Sequence, residues 1–259
     1  MMSRPVERLF FTLDTPSCPL HEIDGVVRGL VPVLDGLALI GEGMGLGGVV
    51  GILGRRTLFP LTAETHQFSS GFISREIQLN GVSLKYLSKA CVDKPYRKLK
   101  TLLSPLYLQS KVFRPLYIML MAGRTLIRVK SRYIRLKKYG AVHMMYRING
   151  SEVEVTARRE TPKSMRILVA NELSGRLFTH LMIDGVKKFL PPWMKLENRD
   201  VELVSPSLKL SMIIDRPDDV KSFAGREVLG NRLDWAGISL EFPEEEDILH
   251  YRLVFKELE

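Results

Sequence analysis

Three short dipeptides constrain this fold most: Asn80-Gly81, Asn149-Gly150 and Asp184-Gly185 each lie between two strand-like runs. A two-residue type I′ turn needs positive φ at both central positions, which Asn, Asp and Gly tolerate best. Counting outward from Asn80-Gly81 places Ile77 opposite Leu84 and Leu79 opposite Val82. The intervening positions then pair Glu76 with Lys85 and Gln78 with Ser83. The same count from Asn149-Gly150 places Tyr146 opposite Val153 and Met144 opposite Val155, with Arg147 facing Glu152 and His143 facing Thr156. Each register gathers apolar pairs on one face and polar or oppositely charged pairs on the other, and a one-residue slip would mix them. The third candidate, between Ile183 and Val186, shows weaker alternation.

Further strand-like runs cover residues 9–13, 165–173, 176–183, 201–204, 208–214, 235–242 and 248–255. A chain of 259 residues is long enough to bury a proper core. The expectation is a mainly β fold, an antiparallel sandwich or a partly closed barrel, with β-rich halves at residues 1–100 and 141–259, or one continuous domain. The segment from Gly43 to Gly48 matches GxGxxG, but a dinucleotide loop needs a helix after it. Here the β-branched Val49, Val50 and Ile52 follow, interrupted by Gly51 and Gly54. Two strands joined at Gly54-Arg55 fit better, with the glycines marking bends or a close backbone approach.

Residues 101–140 change character and predict a basic helical connector, with a helical excursion near residues 104–139. A Ser-Pro-Leu-Tyr-Leu motif at Ser104 is echoed ten residues later by Arg-Pro-Leu-Tyr-Ile at Arg114. Leu126, Val129, Tyr133 and Leu136 fall at helical spacing, and Lys137 and Lys138 before Gly140 suit a helix end. The competing pattern alternates Ile127, Val129 and Ser131 with Arg128, Lys130 and Arg132, as a strand would.

The same region holds the charge. Residues 85–147 carry sixteen Lys or Arg and one acid, Asp93, for +15, whereas the remaining 196 residues sum to −6. A local cationic stretch predicts an anionic partner. Arg124, Arg128, Lys130, Arg132, Arg135, Lys137 and Lys138, set among Leu, Ile and Met, have the composition of an interfacial anchor for an anionic membrane surface or a lipid-like ligand. Interleaved Tyr96, Tyr107, Tyr117 and Tyr133 make nucleic acid the alternative partner. The leading functional expectation is therefore a β-rich binding protein for a lipid-like or anionic ligand, peripheral at a membrane. Its rivals are an enzyme acting on an isoprenoid or lipid in a β-barrel cavity and a nucleic-acid-binding protein.

No GxSxG elbow, P-loop or HExxH is present, and the five histidines show no metal-ligand spacing, so neither metal nor cofactor is expected. Candidates for acid–base work are His143, Glu64 and His66 on a common strand face, and Glu172 beside the Ser174-Gly175 turn. Arg147 and Glu154 share the polar face of their hairpin with His143, and Gly43 and Gly45 open main chain to a ligand; these four complete the binding candidates. The acidic run 244–247 reads as a solvated turn. Cys18 and Cys91 lie far apart and read as free thiols of a reducing, cytoplasmic setting. The longest apolar run, residues 116–122, is far below the roughly 18–20 residues a spanning helix needs.

Overall fold

The computed structural model describes residues 6–13, 26–69, 71–85, 119, 131–197, 201–229 and 233–258. Its strands in chain order are β1 (Leu9–Thr12), β2 (Val31–Leu34), β3 (Leu37–Ala38), β4 (Leu46–Leu53), β5 (Arg56–Ser69), β6 (Phe72–Lys85), β7 (Ser131–Arg135), β8 (Ala141–Asn149) and β9 (Glu152–Glu160). They continue as β10 (Arg166–Leu173), β11 (His180–Ile183), β12 (Val186–Phe189), β13 (Met194–Leu196), β14 (Val201–Ser205), β15 (Leu210–Asp215), β16 (Ser222–Leu229), β17 (Leu233–Glu241) and β18 (Ile248–Glu257).

The first three strands form a small sheet, and the other fifteen form one antiparallel sheet in the order β12-β11-β14-β15-β18-β9-β8-β6-β5-β4-β10-β17-β16-β13, with β7 also on β6. The β character and antiparallel pairing agree with the sequence. Strands from before residue 100 and after residue 141 share this sheet, through β6 on β8 and β4 on β10. Along β8, β9 and β18 buried and exposed residues alternate, as a sheet with one dry face requires. Their dry face carries Met144, Tyr146, Val153, Val155, Leu249, Leu253 and Phe255, and Leu30, Val31 and Val33 of the small-sheet side join the same core. The ring of Phe11 lies 5.8 Å from that of Phe255, centroid to centroid, which ties β1 to β18. The β layers thus close over a shared apolar core, the arrangement of a sandwich.

The turns divide three ways. Asp184 (φ 50°) and Gly185 (φ 76°) form the expected tight turn, with Ile183 opposite Val186. The hairpin at Asn149-Gly150 exists, but Asn149 pairs with Glu152, so Gly150 and Ser151 make the turn. Its register is shifted by two residues from the expected one: Tyr146 faces Val155 and Arg147 faces Glu154. A shift by two preserves which side chains are dry, so the hydrophobic pattern could not detect it. The turn at Asn80-Gly81 does not exist. β6 continues through both residues, and the irregularity lies in its pairing with β5, where the register passes over Asn80 on β6 and Leu61 on β5. The buried Asn80 serves that irregularity: its Oδ1 accepts from Leu61 N at 3.0 Å, and its Nδ2 donates to Thr62 Oγ1 at 2.7 Å. Gly81 is glycine because a Cβ there would lie 2.5 Å from the Leu61 side chain.

The hairpin around Gly54-Arg55 stands as expected, with Gly54 at φ 57°. No helix follows the GxGxxG string; β4 does. The helical connector is corrected where it can be seen. Residues 131–135 are the strand β7, paired with residues 81–85 of β6, so the alternating pattern won over the helical one there. Residues 136–139, where the helix was expected to end, are not helical either. Most of the rest of the excursion, with Arg124, Arg128, Lys130, Tyr107 and Tyr117, lies outside the described residues, as do Cys18, Cys91 and Tyr96. The acidic run 244–247 is a turn, though not a purely solvated one: Asp247 is bonded to Arg159 at 3.2 Å and Lys163 at 2.7 Å.

Candidate functional site

Residues directly opposite each other in antiparallel strands point to the same side. Three rows on the wet face of the large sheet follow from that rule. One row runs Glu64, Glu76, His143, Arg158, Ile248 across β5, β6, β8, β9 and β18. The next runs His66, Ser74, Met145, Thr156, His250 over the same strands. The third runs Phe72, Arg147, Glu154, Arg252, Asp215 and ends on β15. The structure therefore brings five of the sequence candidates, Glu64, His66, His143, Arg147 and Glu154, onto one sheet face, and adds His250, Arg252, Asp215 and Thr156.

These side chains face water. Arg147 approaches Glu154 at 3.5 Å, and His143 Nε2 lies 3.3 Å from Glu160 Oε2. Lys138 bonds Glu76 at 2.8 Å and holds its carboxyl below the usual carboxylate range. Where the third row meets β15, beside the end of the second, the surface sinks into an open groove of about 460 Å³. Its polar lining is Glu154, Thr156, Asp215, Arg216, His250 and Arg252.

Within the groove the polar groups hold one another in place. His250 Nδ1 shares a hydrogen bond with Thr156 Oγ1 at 2.8 Å. Arg252 donates to Asp215 at 3.0 Å and reaches Glu152 at 3.6 Å. Arg216 is half-buried and donates at 3.4 Å to the carbonyls of Pro217 and Glu197; burial lowers the pKa of its guanidinium. The lining thus offers two guanidiniums, an imidazole, a hydroxyl and two carboxylates around one depression, able to donate and accept hydrogen bonds in nearly equal number.

A second constellation contains the remaining candidates. Glu172, Gly43 and Gly45 do meet, where residues 41–48 cross β10. Met44 N donates to Glu172 Oε2 at 2.6 Å, and Glu172 N donates to Gly45 O at 2.9 Å. A Cβ on Gly43 would lie 2.7 Å from that of Glu172. On the other face of β10, the fully buried Asn171 accepts from Gly47 N and from Tyr251 OH, each at 3.0 Å. Tyr146 OH donates toward Gly47 O at 3.3 Å.

Burial dominates the electrostatics of this seam. It raises the carboxyl of Glu172 against the Met44 N–H, pushes Tyr146 up to about 12 against the pull of Arg75, and raises Tyr251 well above the usual phenol range. Glu42 is raised to about 7 by burial and by Asp234, with Arg28 opposing. Asp234 itself is buried and accepts from Ser174 Oγ at 2.8 Å and Arg176 N at 2.9 Å. The space at these glycines is taken by the chain itself: by Glu172 at Gly43, by the Leu30 carbonyl at Gly45 and by the Tyr146 hydroxyl at Gly47.

Sequence reasoning missed Arg252, Asp215, Arg216 and Asn171. The first was legible in principle: His250 and Arg252 alternate with Leu249, Tyr251 and Leu253 on one strand. Asp215 and Arg216 join them only through the pairing of β15 with β18, which no local pattern announces.

No family model and no curated protein matches this chain. Solved structures do resemble it. One is a putative aldose 1-epimerase from Escherichia coli K12, at 9% identity and a TM-score of 0.43, covering 90% of this chain and 93% of that one. Another is an α-mannosidase from Enterococcus faecalis V583, at 10% identity and a TM-score of 0.44, covering 99% of this chain and 30% of that one.

The expected lipid-like, anionic or nucleic-acid ligand on one cationic surface is corrected: where that surface is described, acids of the sheet face already answer part of its charge. In the described part of the basic stretch, Lys138 and Arg147 are ion-paired with acids of the sheet face. Arg135 and Lys137 are exposed, and nothing is described of the Arg132 side chain. Among the described residues no helix is long and apolar enough to cross a membrane.

Proposed function

We propose that this protein binds a small, neutral, polyhydroxylated ligand of the carbohydrate class in the groove between β9, β18 and β15. The observation that supports it is the composition of that depression. Glu154 and Asp215 accept, Arg216 and Arg252 donate, and Thr156 and His250 do either. A sugar ring presents adjacent hydroxyls that each donate and accept, so a lining balanced in both senses pairs with it fully. An ionic ligand would leave one of the two charge types facing its own sign. The volume lies within the range of small-molecule sites, and the groove stands on strands, which hold their side chains more firmly than loops do.

The test is titration calorimetry with a panel of neutral monosaccharides, repeated on Glu154→Gln and His250→Ala. The expected outcome is saturable binding to the wild type that weakens about tenfold in each variant, as the loss of one well-made polar contact does. A wild type that takes up none of the sugars ends this reading.

A further inference from the structure

The groove is not the only place where the surface is shaped for a ring. Trp193 is 47% exposed, and its indole stacks on Phe223 with centroids 5.0 Å apart and planes 14° from parallel. Phe223 thereby backs one face of the indole, while nearly half of the residue stays in contact with solvent. The position is built, not incidental. Pro191 and Pro192 restrict the chain just before Trp193, and Pro191 O accepts from Arg226 N at 2.9 Å. Gly225 on β16 lets that segment approach, since a Cβ there would lie 2.7 Å from Pro192 O and 3.0 Å from the Trp235 ring. Beyond Trp193 the chain enters the edge strand β13, where Lys195 is paired opposite Phe223.

This platform is linked to the groove. Glu197, just after β13, gives its carbonyl to the groove residue Arg216 at 3.4 Å. Glu197 lies four positions after Trp193, at most about 14 Å of extended chain. A buried aromatic would keep no such contact with solvent, and a solvated loop would need neither the paired prolines nor the stacked partner.

We infer that the Trp193–Phe223 stack is a second subsite of the same carbohydrate ligand, where the apolar C–H face of a further sugar ring lies on the indole while its hydroxyls stay in water. This rests on the groove reading and narrows it: the preferred ligand is an oligosaccharide, not a lone monosaccharide. A ring held at the groove raises the effective concentration of the next ring at the indole, so each added contact counts without a new association step.

The experiment compares mannose, glucose and galactose with their di- to tetrasaccharides, on wild type, Trp193→Ala and Trp193→Phe, following calorimetric affinity and the change in indole fluorescence. The expected result is a gain of about tenfold from monosaccharide to tetrasaccharide in the wild type, the scale of one aromatic stacking contact. Trp193→Ala loses that gain, and Trp193→Phe keeps part of it, which also shows that the loss is not one of folding. Equal affinity for short and long sugars in the wild type overturns the subsite while leaving the groove standing. So does a gain with length that survives Trp193→Ala. If sugars of every length fail to bind, the groove and the subsite fall together.

Discussion

The wet sheet face and the glycine seam hold the same kinds of side chain for opposite ends. In the seam, Glu172 and Asn171 are enclosed and their acceptors are spent on Met44 N–H, Gly47 N–H and the Tyr251 hydroxyl. On the sheet face, Glu154, Asp215, His250 and Arg252 stand in water around an open depression and bond only their neighbours on that face. Displaced proton affinity is often taken to point at a functional site. Here the carboxyl of Glu172, raised by burial, marks the place where backbone and side chain leave a ligand no room. Shape separates the two uses; titration does not.

If the seam is structural, damage to it is costly. Gly47 has φ 74°, and a Cβ there would lie 2.6 Å from the buried Tyr146 hydroxyl. Gly47→Ala combines backbone strain with a clash against a side chain that cannot retreat, and we expect it to lower unfolding free energy by about 3–4 kcal/mol in urea titration. A loss below about 1 kcal/mol would show the seam to be soft, and so available to a ligand after all.

Asn171→Leu is the next largest. It fits the volume but strands two buried donors, Gly47 N–H and Tyr251 OH, at a cost of about 2–4 kcal/mol. Adding Tyr251→Phe removes one stranded donor, so the double variant is expected to be less unstable than the two single losses added together. Strict additivity would mean that the Asn171–Tyr251 bond contributes nothing.

The same contrast explains what the sequence could and could not reveal. The wet face was partly legible, because period-two alternation placed His143, Arg147 and Glu154 together, and Glu64 with His66, before any strand partner was known. It survived even the two-residue error at Asn149-Gly150, since such an error leaves the faces intact. The hairpin at Asn80-Gly81 failed because a buried Asn and a glycine pressed by Leu61 look, in one dimension, like a turn. The groove was illegible because it needs β15 beside β18, with residues 216–247 of the chain between them. Charge density misled as well: it drew attention to residues 85–147, while the polar groups that converge come mostly from outside that stretch.

Acid and base probe the seam more gently. Glu42 is raised from 4.5 to about 7 in the folded chain, so the folded state binds the extra proton between those values. Stability from this group is therefore full below about pH 4.5 and is lost as pH rises through 7. Because Glu42 is only half-buried, solvent screening reduces the effect to on the order of 1 kcal/mol. Glu42→Gln is expected to flatten the fall in melting temperature between pH 5 and 8. An unchanged slope would assign the fall elsewhere, Glu172 being the first alternative since burial raises it in the same direction.

The smallest effect on stability is expected where the largest effect on binding is. Arg252 bonds Asp215 at 3.0 Å and reaches Glu152 at 3.6 Å, but all three are exposed, and such pairs contribute little. Arg252→Ala should therefore leave unfolding free energy within about 0.5 kcal/mol of wild type. Sugar affinity should fall about tenfold, because the guanidinium is one of two that line the groove. Were the sheet face a structural lattice of ion pairs and nothing more, the order would reverse: stability would drop by more than the loss of one exposed pair predicts, and no ligand would notice the change. Measuring both quantities on the one variant, under the same salt, decides between a face that holds the fold together and a face that the fold holds out to a ligand.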